Sequence, residues 1–174
     1  QAATLVVKLP YLKQWNERRA HLASIYDASL ANCPGLVRPS VSLAGGVANG
    51  ARDSVNHVYH QYTVRVLASD KAQTLDNPNR DKLIARLTEA GIGSMCYYPV
   101  PLHVQKAFEN LGYKMGDFPI SEQLSREVLS LPMYPELTDE QVETVGKTIT
   151  EIMASEIAPA TAVTNSNPVN SGAG

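Results

Sequence analysis

The sequence predicts an α+β fold in which a small, mostly antiparallel sheet is covered by helices. Apolar residues recur at three- and four-residue steps in several segments, which is helical periodicity, and alternate with polar residues in others, as in half-buried strands. Prolines and glycines bound both kinds of segment and keep the strands short. A short sheet of this kind must bury its apolar face against helices.

Composition restricts the class of protein. The chain has 174 residues, about one domain's length, and its 44% apolar residues suffice for a core without disulfides or structural metal. A net charge of -2 gives no basic field, so we expect no nucleic-acid partner. No apolar run reaches the length of a membrane span, no leader-peptide pattern opens the chain, and Cys33 and Cys96 form no CxxC pair. We therefore expect a cytoplasmic protein without a membrane partner.

The N-terminal part has helical periodicity from Ala2 to about Asn32. Pro10 should interrupt or kink this helix, because proline lacks a backbone donor and crowds the preceding turn. The sequence therefore predicts two helical pieces, the second ended by Pro34 and Gly35.

The segment from His57 to Leu67 alternates in polarity, which predicts a half-buried strand. His60 falls on its apolar face, where the imidazole is either a hydrogen-bonded core group or faces a ligand. Residues three apart on a strand point to opposite sides, so His57 and His60 do not predict a shared metal site. His57 is expected to be solvated.

A helix and a strand are predicted next along the chain. Arg80 to Ala90 is a predicted helix, with Gly91 as its left-handed cap. Ile92 to Tyr98 is a predicted second strand, stopped by Pro99.

Two short helices are expected before the third strand. The first runs from about His103 to Leu111 and is closed by Gly112. The second is capped by Asp117 and carries Pro119 in its permissive first turn. The third strand is predicted at Val128 to Leu131.

The last helix has the clearest start, because Thr138 and Gln141 have the spacing of a capping box. Its inward stripe is predicted to comprise Val142, Val145, Ile149 and Ile152. Residues 156–174 show no periodicity and are rich in Ala, Pro, Thr, Asn and Ser, so we expect a disordered tail.

A cysteine-hydrolase triad could be formed by Cys96, His103 and Asp117, which would supply the nucleophile, the base and the orienting carboxylate. Against this hypothesis, no nucleophile motif surrounds the cysteine, and a buried strand cysteine is usually inert. The arginines are expected to be solvated charges; they are Arg65, Arg80 and Arg126.

The segment from Tyr97 to His103 places two phenols, two prolines and an imidazole on one stiffened loop. This combination of aromatic faces and hydrogen-bonding groups suits a polar ligand such as a sugar. The alternative is that one tyrosine is a core residue and the other a surface residue.

Several motifs occur in a fixed order along the chain. They are Gln1-Ala2-Ala3, Val7-Lys8-Leu9-Pro10-Tyr11-Leu12, Trp15-Asn16-Glu17-Arg18, His57-Val58-Tyr59-His60-Gln61-Tyr62, Arg80-Asp81-Lys82-Leu83, Gly91-Ile92, Tyr97-Tyr98-Pro99-Val100-Pro101-Leu102-His103, Gly116-Asp117-Phe118-Pro119 and Leu129-Ser130-Leu131-Pro132-Met133-Tyr134-Pro135-Glu136-Leu137-Thr138. In this order they resemble the DegT/DnrJ-type (StrS-like) sugar aminotransferases, over about Gln1 to Met153.

The resemblance implies a pyridoxal-phosphate (PLP) enzyme of the aspartate-aminotransferase fold type. Residues 1–155 would be its small C-terminal domain, and residues 1–32 the long helix leading out of a larger domain. No lysine here lies in the family's Schiff-base motif, so the chain alone is expected to be inactive. The whole enzyme would be a homodimer that aminates a nucleotide-linked keto sugar, with glutamate as donor, in polysaccharide or sugar-derivative biosynthesis. The alternative is a non-catalytic dimerisation or binding module.

The resemblance also suggests substrate-binding residues. Tyr97 occupies the position of a His or Tyr that reaches the nucleotide sugar in relatives. Tyr98, His103, His60 and Asn56 are weaker candidates for the same contact.

Overall fold

The computed structural model describes residues 2–40, 57–68 and 74–157. Its sheet is three-stranded and antiparallel in the order β1-β2-β3, which confirms the α+β fold with a small antiparallel sheet. The strands are β1 (Leu36–Val37), β2 (Tyr62–Val66) and β3 (Val128–Leu131). In the register of the sheet, Tyr62 lies opposite Leu131 and Thr63 opposite Ser130.

Five α-helices accompany this sheet in the described part of the chain. They are α1 (Ala2–Lys8), α2 (Leu12–Ser29), α3 (Pro78–Glu89), α4 (Pro119–Glu127) and α5 (Asp139–Glu156). A 3-10 turn, Leu9–Tyr11, separates α1 from α2 and contains Pro10, so the predicted interruption is confirmed.

The core lies between one face of the sheet and α2, α3 and α5. Tyr26 of α2 stacks on Tyr62 of β2 with ring centroids 4.8 Å apart. The hydroxyl of Tyr26 donates to the Pro132 carbonyl at 2.9 Å, and that of Tyr62 donates to Asp27 Oδ1 at 2.7 Å. Burial raises the pKa of both phenols, so they stay neutral donors. Two stacked tyrosines therefore bury their rings and satisfy both polar ends.

The start of α5 confirms the predicted capping box. Thr138 Oγ1 accepts from Gln141 N at 3.2 Å, and Gln141 Oε1 accepts from Thr138 N at 3.0 Å. The predicted inward stripe is buried. The helix extends to Glu156 and Ile157 is buried, so the fold continues two residues beyond the expected boundary at 155; residues 158–174 lie outside the described part.

The predicted strand from His57 is too long at its N-terminal end. Alternation holds from Tyr62 onward, but Tyr59 has a φ of 45° and its amide donates to His57 Nδ1 at 3.0 Å. This local turn satisfies backbone groups that a strand would pair with the sheet. His60 is consequently exposed, and the hypothesis that it is a core histidine is wrong.

The predicted strand from Ile92 to Tyr98 reduces to one isolated antiparallel bridge, between Met95 and Ser130. The chain leaves the sheet edge at Tyr97, so no further pairs form. The helix expected at His103 to Leu111 consists of two 3-10 segments, Leu102–Val104 and Lys106–Leu111, because Gln105 between them is extended. Gly112 ends the second with a φ of 77°, as predicted.

Asp117 does not cap α4. Its carboxylate accepts from Lys114 N at 2.8 Å, and the N-cap residue is Phe118, whose side chain makes no capping bond. Pro119 occupies the first turn, as expected.

The expectation of solvated arginines is also wrong. Arg80 and Arg126 are each only 7% exposed. Arg80 Nη1 donates to the Ser125 carbonyl at 2.9 Å, and Arg65 Nη2 lies 2.6 Å from the buried Glu127 Oε2. The N-terminus of α3 and the C-terminus of α4 meet here, and the long side chains supply donors to the carbonyls of that junction.

Candidate ligand-binding groove

An open groove of about 410 Å³ lies where β3, the Met95 bridge and the turn before β2 meet. Its lining is His60, Gln61, Gly93, Ser94, Met95, Tyr97, Ser130, Leu131, Pro132 and Met133. The lining mixes imidazole, amide, hydroxyl and phenol groups with apolar walls, as binding sites for small polar molecules do.

Backbone pairing fixes one wall of this groove. Met95 N donates to Ser130 O at 3.1 Å, and Ser130 N donates to Met95 O at 2.8 Å. The Ser130 hydroxyl lies 2.8 Å from Thr63 Oγ1 on β2. The segment carrying Tyr97 is therefore attached directly to β3, at the edge of the sheet.

Tyr97 and His60 line the same groove, although they are far apart in the sequence. Both are exposed, so their polar groups are available to a ligand. Tyr98 is also exposed and packs edge-on against Tyr97, with ring centroids 5.7 Å apart, but it does not line the groove. Since neither tyrosine is buried, the alternative that one of them belongs to the core is wrong.

His103 lies elsewhere. Its Nε2 is 2.9 Å from Glu122 Oε1, and its ring contacts Phe118 with centroids 4.8 Å apart. It is not among the residues that line the groove. Asn56, the remaining predicted contact, lies outside the described residues.

The structure gives no support to the cysteine-hydrolase hypothesis. The three residues have other surroundings: His103 contacts Glu122, and Asp117 accepts from a backbone amide. Burial raises the pKa of the Cys96 thiol, with Arg80 opposing the shift, so the reactive thiolate is disfavoured.

Sequence reasoning missed several lining residues, including Gln61, Ser94, Ser130 and Met133. Gln61, Ser130 and Met133 lie inside motifs already singled out, so the His57-to-Tyr62 motif and the motif that begins at Leu129 were available signals. Ser94 lies three residues before Tyr97, outside those motifs, and its buried Oγ has no hydrogen-bond partner among the described residues.

Two kinds of site are not found in the part of the chain that the structure describes. It contains no group of three or more His, Cys, Asp or Glu side chains arranged to hold a metal ion. None of its helices is long and apolar enough to cross a membrane.

Residues 1–150 match the family described as the DegT/DnrJ/EryC1/StrS aminotransferase family. The chain belongs to this family. It is similar to a "Pleiotropic regulatory protein" of Geobacillus stearothermophilus, with 42% identity over 153 residues, which is 87% of this chain and 36% of the relative. It is also similar to a dTDP-3-amino-3,6-dideoxy-alpha-D-galactopyranose transaminase of Aneurinibacillus thermoaerophilus, with 34% identity over 86% of this chain and 34% of the relative.

Solved structures agree with this family assignment. The fold is similar to S. venezuelae DesV, solved in complex with a ketimine intermediate, with a TM-score of 0.71 and 32% identity over 88% of this chain and 36% of that one. The chain thus spans about a third of the length of the relatives it matches.

Proposed function

We propose that residues 1–155 form the small C-terminal domain of a PLP-dependent transaminase that aminates a nucleotide-linked keto sugar, with glutamate as donor, in polysaccharide or sugar-derivative biosynthesis. In this proposal residues 1–32 lead out of a larger domain. Support comes from the family match and from relatives named as transaminases of dTDP-linked amino sugars.

The groove carries the proposal, since it presents sugar-binding groups on an open wall. Tyr97 and His60 provide a phenol and an imidazole, and Gln61 an amide, beside apolar contacts from Met95 and Met133. Phenols and amides both donate and accept, which matches the alternating donors and acceptors of sugar hydroxyls. We assign substrate contact to Tyr97 and His60, and Asn56 is a further candidate. Tyr98 packs against Tyr97 outside the groove and is assigned no contact of its own.

The described residues do not fit a site for PLP itself. No described lysine lines the groove, and those with ion-pair partners face carboxylates away from it: Lys13 with Glu17, Lys82 with Glu156 and Lys147 with Glu151. An amine that holds the cofactor must reach it from within the site. We therefore place the cofactor-holding lysine on other polypeptide and assign no step of the reaction to the lysines that the structure describes. The contribution of this chain to the reaction is to orient the sugar and exclude water.

Two further features belong to this proposal. The complete enzyme is a homodimer in the cytoplasm. The free cysteines Cys33 and Cys96 support a reducing compartment, and the exposed apolar side chains of α1 supply surface for contact with other polypeptide.

Those side chains also favour a second candidate, a non-catalytic dimerisation or binding module. Leu5, Val6 and Val7 are 67%, 68% and 70% exposed, respectively, and α1 has no buried residue. Sedimentation of the isolated chain separates the two: a stable, discrete oligomer favours the module, whereas aggregation favours a domain deprived of its covering surface.

The gene upstream of Gln1 tests the main proposal. We expect an in-frame segment that contains a Ser-rich stretch ending in Lys, and its absence would remove the enzyme assignment. The chain alone, mixed with PLP, should show no stable aldimine absorbance. A borohydride-trapped adduct at one specific lysine would contradict this division of roles.

A further inference from the structure

Glu122, in the first turns of α4, binds three groups on one loop. Its Oε1 accepts from His103 Nε2 at 2.9 Å. Gly116 N donates to Oε1 at 2.8 Å and to Oε2 at 2.9 Å, and Phe118 N donates to Oε1 at 3.2 Å. One carboxylate thus joins the beginning and the end of the 102–118 segment.

Little else attaches this segment to the core. None of residues 102–118 is classed as buried, and residues 106–118 are all exposed. The side chains of His103 and Glu122, by contrast, are only 8% and 12% exposed. The best protected polar contact of the segment is therefore the one made by Glu122, and closing a loop at both ends removes most of its conformational freedom.

The bonds to Glu122 are charge-assisted. Burial opposes the charge, but donation from Gly116 N, Phe118 N and His103 outweighs it and lowers the pKa of Glu122. The carboxylate is consequently ionised at neutral pH, and hydrogen bonds to an ionised acceptor are stronger than neutral ones.

The 102–118 segment continues directly from the groove wall. Pro99 and Pro101 stiffen the connection from Tyr97 to His103, and Gln105 Nε2 donates to the Val100 carbonyl at 3.1 Å. A force on His103 is therefore transmitted to Tyr97 through a short, restricted stretch of backbone.

We propose that Glu122 is a positioning residue for the groove: by holding His103, Gly116 and Phe118, it fixes the direction in which Tyr97 faces. His103 is then part of this attachment and makes no substrate contact. The consequence for sugar binding rests on the proposed function, but the attachment itself does not.

Trypsin cleavage and NMR of the whole chain test the attachment without a ligand. In Glu122→Ala, we expect cleavage at Lys114 and amide exchange at Gly116 and Phe118 to rise by about tenfold, with a shift of the Tyr97 ring signals. Glu122→Gln keeps an acceptor oxygen and should rescue part of the protection. Glu109→Gln is the matched control, because Glu109 lies exposed in the same segment and its side chain makes no hydrogen bond or ion pair with the residues that the structure describes.

His103→Gln separates the two ends. It should increase cleavage at Lys106 more than at Lys114, because Glu122 still holds Gly116 and Phe118. Unchanged exchange and Tyr97 signals in Glu122→Ala would overturn the proposal. A shift of the Tyr26 ring signals as large as that of the Tyr97 ring signals would also overturn it, because such a shift would show a general loss of structure.

Discussion

The sheet-and-helix core and the 102–118 segment are held by different forces. In the core, Tyr26, Tyr62 and Ile149 are fully buried, and α2 packs directly against α5. In the 102–118 segment residues 106–118 are exposed, and one carboxylate, that of Glu122, joins the two ends of the segment. The first arrangement depends on apolar area removed from water, the second on a few directional bonds. The difference indicates that the core sets stability, whereas the segment sets local geometry near the groove.

The largest effect is expected from a cavity in the core. Ile149→Ala should lower the free energy of unfolding by about 2–5 kcal/mol, because the residue is fully buried on α5 and its surroundings cannot collapse completely. Urea unfolding followed by circular dichroism measures this loss. Glu143→Ala, an exposed change on the same helix, should stay within about 0.5 kcal/mol. If Ile149→Ala changed the free energy of unfolding as little as Glu143→Ala, the buried core would not be the main source of stability.

The second-largest loss of stability is expected at a close contact between α2 and α5. A Cβ added at Gly146 would lie 2.6 Å from Ser29 Cβ, so α2 and α5 would have to move apart. Gly146→Ala should therefore cost about 1–3 kcal/mol, although alanine favours helix intrinsically. The double variant with Ser29→Gly should recover most of the loss in the same urea experiment. No recovery would show that the cost arises elsewhere.

As the pH falls, we expect the 102–118 segment to lose its protection from amide exchange before β2 does. The pKa of Glu122 is lowered from 4.5 in the folded state. The ionised carboxylate therefore stabilises the 102–118 segment above pH 4.5, and this stabilisation is lost as the pH falls through the lowered pKa. Amide exchange at Gly116 and Phe118, corrected for intrinsic rates, should accelerate in this range relative to amides of β2. Glu122→Gln should abolish the difference in pH response, and equal responses in the native chain would contradict it.

The smallest stability effect is expected at the groove. Tyr97→Phe removes an exposed hydroxyl, so the free energy of unfolding should change by less than about 0.5 kcal/mol. In the complete transaminase, loss of one hydrogen bond should raise KM for the nucleotide sugar about 3- to 10-fold. Tyr98→Phe serves as the control, because Tyr98 does not line the groove. Equal KM values for both variants would remove Tyr97 from the site.

Elements with local signals were predictable. The capping box at Thr138, the strand at Val128–Leu131 and the interruption at Pro10 depend on residues close in sequence, and the structure confirms each. The strand expected from His57 failed because a turn at Tyr59 competes with sheet pairing. Asp117 does not cap α4, because its carboxylate accepts from the Lys114 amide instead.

By itself, the sequence determined the α+β class, the family and most of the helices. It did not predict β1, and the strand expected at Ile92 to Tyr98 is a single bridge. Only the tertiary structure brought His60 beside Tyr97, buried Arg80 and Arg126, and gave His103 to Glu122. The physical reason is the distance along the chain. Periodicity and capping act over a few residues, whereas the partner of a polar side chain is set by how distant segments pack, and no local pattern encodes that choice.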